Sequence, residues 1–328
     1  MTEVSFVKSR RDAWQAFEKM LNDSARVSPD ALAESFIQLT DDLAYARTFF
    51  PRSKTTLYLN TLTGKAYQSI YKNRKERSNR LIEFWRSELP LVVRAAHRPI
   101  FYSLVIFLIA AFIGAFSTAG DDSFVRLILG DSYVNMTLAN IKKGDPMAVY
   151  KQSRELPMFL GITLNNIRVS FFAFAMGVVF SFGTACVLLY NGIMLGAFQY
   201  FFYKQQLLIE SALVIWIHGT LEISAIVLAG GAGLAIGNAI LFPGTFSRRD
   251  AFMRSAKHGM KIIIGLIPIF IVAGFLESFV TRHTDMPLVL SLFIIFGSLS
   301  FIVWYFVIYP ILLEQQRLIQ HSSYDRKN

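Results

Sequence analysis

The sequence predicts an all-α polytopic membrane protein of about six transmembrane helices with an N-terminal helical domain, and three observations lead there. The chain of 328 residues is 53% hydrophobic with a mean hydropathy of +0.41, too apolar for an ordinary soluble protein. Its apolar residues gather in uncharged runs of 22 to 35 residues, and a helix rising about 1.5 Å per residue needs about 20 of them to cross a hydrocarbon core. The basic residues, which give a formal net charge of +10, fall in blocks between those runs. Residues 1–98 read as a cytoplasmic helical domain with a basic juxtamembrane stretch, 99–313 as a transmembrane bundle with an extracytoplasmic loop at 118–163, and 314–328 as a cytoplasmic tail.

From Val4 to about Asn22, Val7, Trp14, Phe17 and Leu21 recur at helical spacing among charged residues, giving a surface helix with one apolar face. No apolar core follows Lys8, Arg10 and Arg11, so this segment does not read as a cleavable signal peptide. Ser28-Pro29-Asp30 is a helix start, with Ser28 as N-cap and Pro29 at the first helical position. The helix it opens carries Leu32, Phe36, Leu39, Leu43, Ala46 and Phe50 at alternating spacings of four and three until Pro51, a continuous seam that needs a partner. A third helix from about Lys54 carries Leu59, Leu62, Ala66 and Ile70, and the three can close a small domain.

Between Lys65 and Arg98, nine Lys/Arg and three Glu are interleaved with Tyr67, Tyr71, Phe84 and Trp85. This is either a solvated helix or a stretch lying against anionic headgroups. The aromatic anchors and the adjoining first span favour the second, with Lys72, Arg74, Lys75, Arg77 and Arg80 facing membrane lipids or a partner. No recognition motif accompanies the charge, so nucleic acid is not expected as a partner.

Pro99 to Gly120 is the first span. The loop beyond it is polar with short amphipathic pieces, and Asp131 to Lys143 reads as a helix ended by Gly144-Asp145-Pro146. Val169 to Tyr203 is uncharged over 35 residues, about the minimum for two spans. Gly183-Thr184 is its natural break, giving either two spans, about 164–182 and 184–203, or two half-helices meeting in a re-entrant dip. Cys186, the only cysteine, excludes an intrachain disulfide and a thiolate metal cluster and reads as a small buried hydrophobe.

The fourth span, about 212–241, holds His218 and Glu222, then Ala229, Gly233 and Gly237 four apart, a spacing that lets membrane helices approach closely. That groove can seat another span of the same chain or a second copy, and a homo-oligomer is expected. Phe242 to Lys261 is a basic loop in which Arg248 and Arg249 face headgroups or a partner. A fifth span at about 262–280 contains Glu277, and a sixth, Met286 to Leu313, is uncharged over 28 residues. Residues 1–99 carry 17 Lys/Arg against 11 Asp/Glu and 242–261 carry five against one, whereas 118–163 carry five of each. Six spans with both termini in the cytoplasm satisfy these asymmetries.

No zinc-protease, P-loop, nucleophile-elbow or dinucleotide signature occurs, so no cofactor is expected. What remains is a set of polar groups at membrane depth: Asn165, Asn166 and Arg168 opening the second span, Asn191 in the third, His218 and Glu222 in the fourth, and Glu277 in the fifth. His218 and Glu222 share one helix face a single turn apart, and ionisable groups at that depth are paired or functional. Glu222 is expected to bond a polar group of another span, Asn191 or Arg168 above all, because the intrahelical pair leaves carboxylate acceptors unmet.

Asn165-Asn166-Ile167 opening a span, Asn191-Gly192 followed by Leu195-Gly196, His218-Gly219-Thr220-Leu221-Glu222, and Glu277-Ser278-Phe279-Val280-Thr281 resemble the successive motifs of the stage II sporulation protein M family. The resemblance runs from about residue 95 to 315. It implies a multi-pass protein of the bacterial cytoplasmic (inner) membrane, acting as a scaffold that positions peptidoglycan-degrading partners.

Two other function classes stay open beside a non-enzymatic scaffold held together by a polar network. In one, His218 and Glu222 line the path of a transporter or channel. In the other, Glu222 is the base and His218 the acid or metal ligand of an intramembrane enzyme. No metal site is expected, because two ligands one turn apart need further protein groups.

Overall fold

The structure, a computed structural model, describes residues 2–22, 29–72, 80–151, 154–283 and 286–325, and every element among them is helical. The chain forms two compact units, Met1–Arg80 and Leu81–Asn328.

The first unit packs α1 (Glu3–Asn22), α2 (Pro29–Phe49) and α3 (Lys54–Lys72) around one apolar core. The seam of α2 finds its partners there: Leu39, Leu43 and Ala46 bury against Phe6, Trp14 and Phe17 of α1 and Leu59, Leu62 and Ala66 of α3. Asp42, 5% exposed, is the charged group in this core among the described residues. It accepts a hydrogen bond from Trp14 Nε1 at 2.8 Å and faces Arg10 Nε at 3.4 Å, the pairing a buried carboxylate requires. Thr56 Oγ1 donates to Phe50 O at 2.7 Å and ties the turn between α2 and α3. Ser28, read as the N-cap of α2, and the side chains of Ile70 and Lys72 lie outside the described residues.

The second unit contains six helices long and apolar enough to cross a membrane, which makes the chain a multi-pass membrane protein. They are α6 (His97–Gly120), α9 (Glu155–Ala175), α10 (Phe182–Lys204), α11 (Leu208–Leu241), α12 (Arg248–Phe275) and α13 (Leu288–Val303). The fifth continues through a π-helical turn at Leu276–Val280, and the sixth through another at Trp304–Ile308 into α14 (Tyr309–Asp325). Short helices flank the first span: α4 (Arg80–Glu83) and α5 (Leu89–Ala95) before it, α7 (Asp122–Leu129) and α8 (Asp131–Lys142) after it.

The fourth span is the centre of the bundle. The apolar window of α11 is 61% buried inside the protein, against 11% for that of the sixth span. At 34 residues, or about 51 Å of helix, α11 exceeds a hydrocarbon core and must tilt or project beyond it. Its glycines are filled by the same chain: a Cβ on Gly233 would lie 2.5 Å from Thr184 Oγ1 and 2.6 Å from Ala173 O, and one on Gly237 would lie 2.1 Å from Ser181 N. The groove of Ala229, Gly233 and Gly237 therefore seats α9, the following turn and α10, and does not face a second copy. A second close seam joins α6 to α10, where Gly114 meets the Ile193 backbone and Gly196 meets Ala111 O.

Residues 164–203 form two full helices and no re-entrant dip, but the break lies earlier than Gly183-Thr184. A 3-10 turn at Met176–Val178 leads into Phe180 and Ser181, which take positive φ of 50° and 67°. Such non-glycine conformations persist only where the surroundings hold them. Here Ser181 Oγ donates to Leu234 O at 3.0 Å, and Thr184 Oγ1 donates to Ala173 O at 2.7 Å. Gly183 is a close-packing glycine against Met176, and α9 starts at Glu155, nine residues before the expected 164. Cys186 is exposed on α10 and not buried as expected, because an apolar run in a membrane carries no period that separates lipid-facing from bundle-facing positions.

Residues 81–96 pack with the spans. Leu89, Val92 and Val93 bury in the core shared by α11, α12 and the sixth span. Pro90 follows a π-helical turn at Phe84–Glu88 and has no N–H for the carbonyls of Trp85 and Arg86. Both carbonyls accept tyrosine hydroxyls of the sixth span instead, Tyr305 Oη to Trp85 O and Tyr309 Oη to Arg86 O, each at 2.6 Å. Arg94 Nε and Glu314 Oε2 close the same junction at 2.6 Å.

At the opposite end, α7 and α8 cap the hairpin of α10 and α11 through Val125, Val134, Phe201 and Phe202. Asp121 caps α7 by accepting from Ser123 N at 2.8 Å, and that bond holds its carboxyl below the ordinary range.

Candidate functional site

The polar groups that meet inside the bundle come from three helices. On α11, His218 and Glu222 stand one turn apart on the same face, ten and fourteen residues in from Leu208 at the α7–α8 end. Glu277 reaches them from the π-helical turn that ends the fifth span. That turn has a local cause: Thr281 N bonds Leu276 O at 2.9 Å, while the Thr281 hydroxyl captures Glu277 O. Glu277 itself continues the buried stripe of Leu266, Phe270 and Ala273 on the fifth span, and the extra residue of the turn shifts the residues that follow it.

His218 Nε2 lies 3.9 Å from Glu277 Oε1, and one ligand atom from each of His218, Glu222 and Glu277 lies within 4.8 Å of the other two. Among the described residues this is the one grouping of three His, Cys, Asp or Glu side chains that close. His218 is 5% exposed, the Glu277 side chain 16%, and Glu222 is partly buried.

The third contributor is α9. Thr163, Asn166 and Ser170, spaced three and four apart, form a buried polar stripe on the face that packs against α11 and α12. Asn166 interacts with the Glu222 carboxylate, yet among the described residues its Nδ2 makes no hydrogen bond of normal geometry, nor does Thr163 Oγ1, Ser170 Oγ or Ser278 Oγ. Two facing carboxylates thus sit among polar atoms whose capacity is unused. Such a set can share a proton or hold a cation.

The sequence reading singled out seven polar residues, and the structure gathers four: His218, Glu222, Glu277 and Asn166. Asn191 is half-buried and spends its Nδ2 on Val187 O, one turn back on its own helix, at 2.8 Å. Asn165 and Arg168 are exposed on the outward face of α9. Neither Asn191 nor Arg168 is therefore the partner expected for Glu222; its neighbours on other spans are Asn166 and Glu277. The stripe on α9 went unread, though the period that aligns Asn166 with Thr163 and Ser170 also turns Asn165 away. Of the basic residues, Arg248 and Arg249 are exposed at the start of α12, and Arg80 is exposed at the start of α4. Arg74, Lys75 and Arg77 lie outside the described residues.

A cavity of about 790 Å³ lies at the other end of the bundle, lined in part by Arg98, Tyr102, Ser181, Asn238, Arg254 and His258. No member of the His218 cluster lines it.

A domain of unknown function (DUF8413) matches residues 4–72, the three-helix unit. No curated protein and no solved structure matches the chain. A family model of Stage II sporulation protein M matches residues 100–282, more than half of the chain, from the first span through the motif that ends in Thr281. This chain, with His218, Glu222 and Glu277 drawn together at the heart of the matched region, belongs to the Stage II sporulation protein M family.

Proposed function

We propose that the protein is a non-enzymatic scaffold of the bacterial cytoplasmic membrane, with both termini in the cytoplasm, that holds partner membrane proteins in place during cell-envelope or peptidoglycan remodelling. One observation carries the reading. Arg168 stands exposed on the outward face of α9, ten residues from the Val178 end of the span, with Asn165 beside it and no ion pair or side-chain hydrogen bond among the described residues. A guanidinium at such depth costs roughly 2.5–3.5 kcal/mol on insertion scales and is as a rule covered by a partner. A partner span offering a carboxylate or amide beside Arg168 removes that cost, and a scaffold has such a face.

The polar cluster of α9, α11 and α12 supports the same reading, because it gathers near one end of the bundle and does not extend from side to side as a transport path would. Contacts with a second copy, if the scaffold is a homo-oligomer, belong on the sparsely buried sixth span, since the glycine groove of α11 is occupied. The charge asymmetry supports a cytoplasmic side for Arg248, Arg249 and Arg80, where anionic headgroups are available.

The test is proximity crosslinking in native membranes from a photoreactive residue at position 165, with and without Arg168→Leu. Crosslinks to a discrete membrane protein that vanish in the Arg168→Leu variant, at equal levels of folded protein, support the scaffold. Crosslinks to lipid alone in both would overturn it.

A further inference from the structure

We propose that His218, Glu222 and Glu277 bind one divalent transition-metal ion of the zinc type inside the bundle, with Asn166 completing or steadying the site. The geometry fits. One donor atom from each of the three side chains lies within 4.8 Å of the others, with His218 Nε2 and Glu277 Oε1 3.9 Å apart. Zinc held at about 2.0–2.1 Å from nitrogen and oxygen in a tetrahedron brings its ligand atoms to about 3.3 Å from one another. The three donors need to draw in by roughly an ångström, within the reach of Glu and His rotamers.

Charge and chemistry select the ion. Two carboxylates facing each other away from bulk water repel, and burying them unpaired is costly. A divalent cation with two carboxylates and a neutral imidazole leaves the site electrically neutral. The imidazole nitrogen discriminates among divalent ions, being a ligand for zinc and its neighbours and not for magnesium or calcium, which take oxygen.

Two independent features point to an occupant. Asn166 is 5% exposed and interacts with Glu222, yet among the described residues its side-chain nitrogen makes no hydrogen bond of normal geometry. In the metal-bound site it either donates to a ligating carboxylate or turns its Oδ1 to the ion. Glu277 continues the inward face of α12, four residues after the buried Ala273 and seven after the buried Phe270, so the helix itself holds this second carboxylate against Glu222. Three protein ligands also leave a fourth position for water or a partner's side chain.

The site is independent of the scaffold reading, and its test needs no partner. Full-length protein without a polyhistidine tag is purified in detergent, stripped with a chelator, desalted, incubated with Zn²⁺ and desalted again before elemental analysis. Wild type is expected to retain about one zinc per chain, Glu277→Gln and His218→Asn at least roughly tenfold less, and Asn191→Ala as much as wild type. Excess Mg²⁺ should not compete. Thermal unfolding of the stripped wild type should shift upward when Zn²⁺ is added, a readout that stands if a variant fails to fold. Wild type that retains no zinc, shows no shift, or loses nothing on both substitutions overturns the proposal.

Discussion

Gly196→Ala should part the α6 and α10 helices. A Cβ at Gly196 would lie 1.8 Å from Ala111 O and 2.7 Å from the carbonyl carbon behind it. A carbon rests no closer than about 3.3 Å to a carbonyl oxygen, so the helices must separate by about 1.5 Å. The obstructing atoms are backbone, and no rotamer change can relieve them. Separation also lifts Gly114 off Ile193 and Gly192 off Phe107 O, further points on the same seam. Overpacking of this kind costs about 1–3 kcal/mol, the backbone clash puts this site at the upper end, and the better helix propensity of alanine offsets up to about 1, leaving a net loss of about 2 kcal/mol.

The control has the opposite sign: Gly161 on α9 has no atom within 4 Å of the added carbon, so Gly161→Ala should be neutral or stabilise by up to about 1 kcal/mol. Reversible unfolding in mixed micelles, followed by circular dichroism, measures both. Equal midpoints for Gly196→Ala and wild type would refute the close seam.

Tyr305→Phe removes the hydroxyl that serves Trp85 O and should cost about 1–3 kcal/mol, the penalty of a carbonyl left without its partner; the same unfolding assay reads it, and a cost below about 0.5 would count against the junction. Asp42→Leu should destabilise the three-helix unit by more than about 1 kcal/mol, because Trp14 Nε1 is left buried without an acceptor; resistance of α1 to limited proteolysis equal to wild type would contradict this. Cysteines introduced into residues 121–151 should react with an impermeant thiol reagent from outside sealed cells, whereas Ser53→Cys and Ser247→Cys should not, and external labelling of Ser53→Cys would reverse the assigned orientation. The Asp121 carboxyl is held below its ordinary range by Ser123, so its contribution to α7 is present above the unfolded carboxylate pKa and lost as pH falls through the lower folded value; protection of the Ser123 amide, its exchange relative to the unstructured chain at the same pH, should fall on acidification in wild type and stay constant in Asp121→Asn.

The spans and the three-helix unit were legible because their signals are local. Uncharged length finds a membrane helix, and the Leu32 to Phe50 seam declares a buried face. What was not legible depends on facing. Asn165, Asn166 and Arg168 are equally polar in the sequence, but only Asn166 turns inward, because α9 packs Thr163, Asn166 and Ser170 against α11 and α12. Glu277 joins His218 and Glu222 because it continues the buried face of Phe270 and Ala273, a face that the uniformly apolar run of the fifth span does not mark. The glycine at position 183 read as a break because close-packing and turn glycines look alike in a sequence, while the actual turn falls on Phe180 and Ser181. Cys186 illustrates the converse: in lipid an outward position is as apolar as an inward one.

The junction between Pro90 and the sixth span joins residues about 220 apart in the chain. During synthesis, Trp85 and Arg86 leave the ribosome well before Tyr305 and Tyr309 exist, so for most of the insertion process two carbonyls and the apolar residues Leu89, Val92 and Val93 lack their final cover. Insertion of the last helix is therefore the event that completes the fold, and it completes it at the segment that precedes the first helix. A nascent chain arrested after five spans would present that uncovered segment to membrane proteases. A chain cut short before Tyr305 should be cleared for the same reason, even though every earlier span is intact.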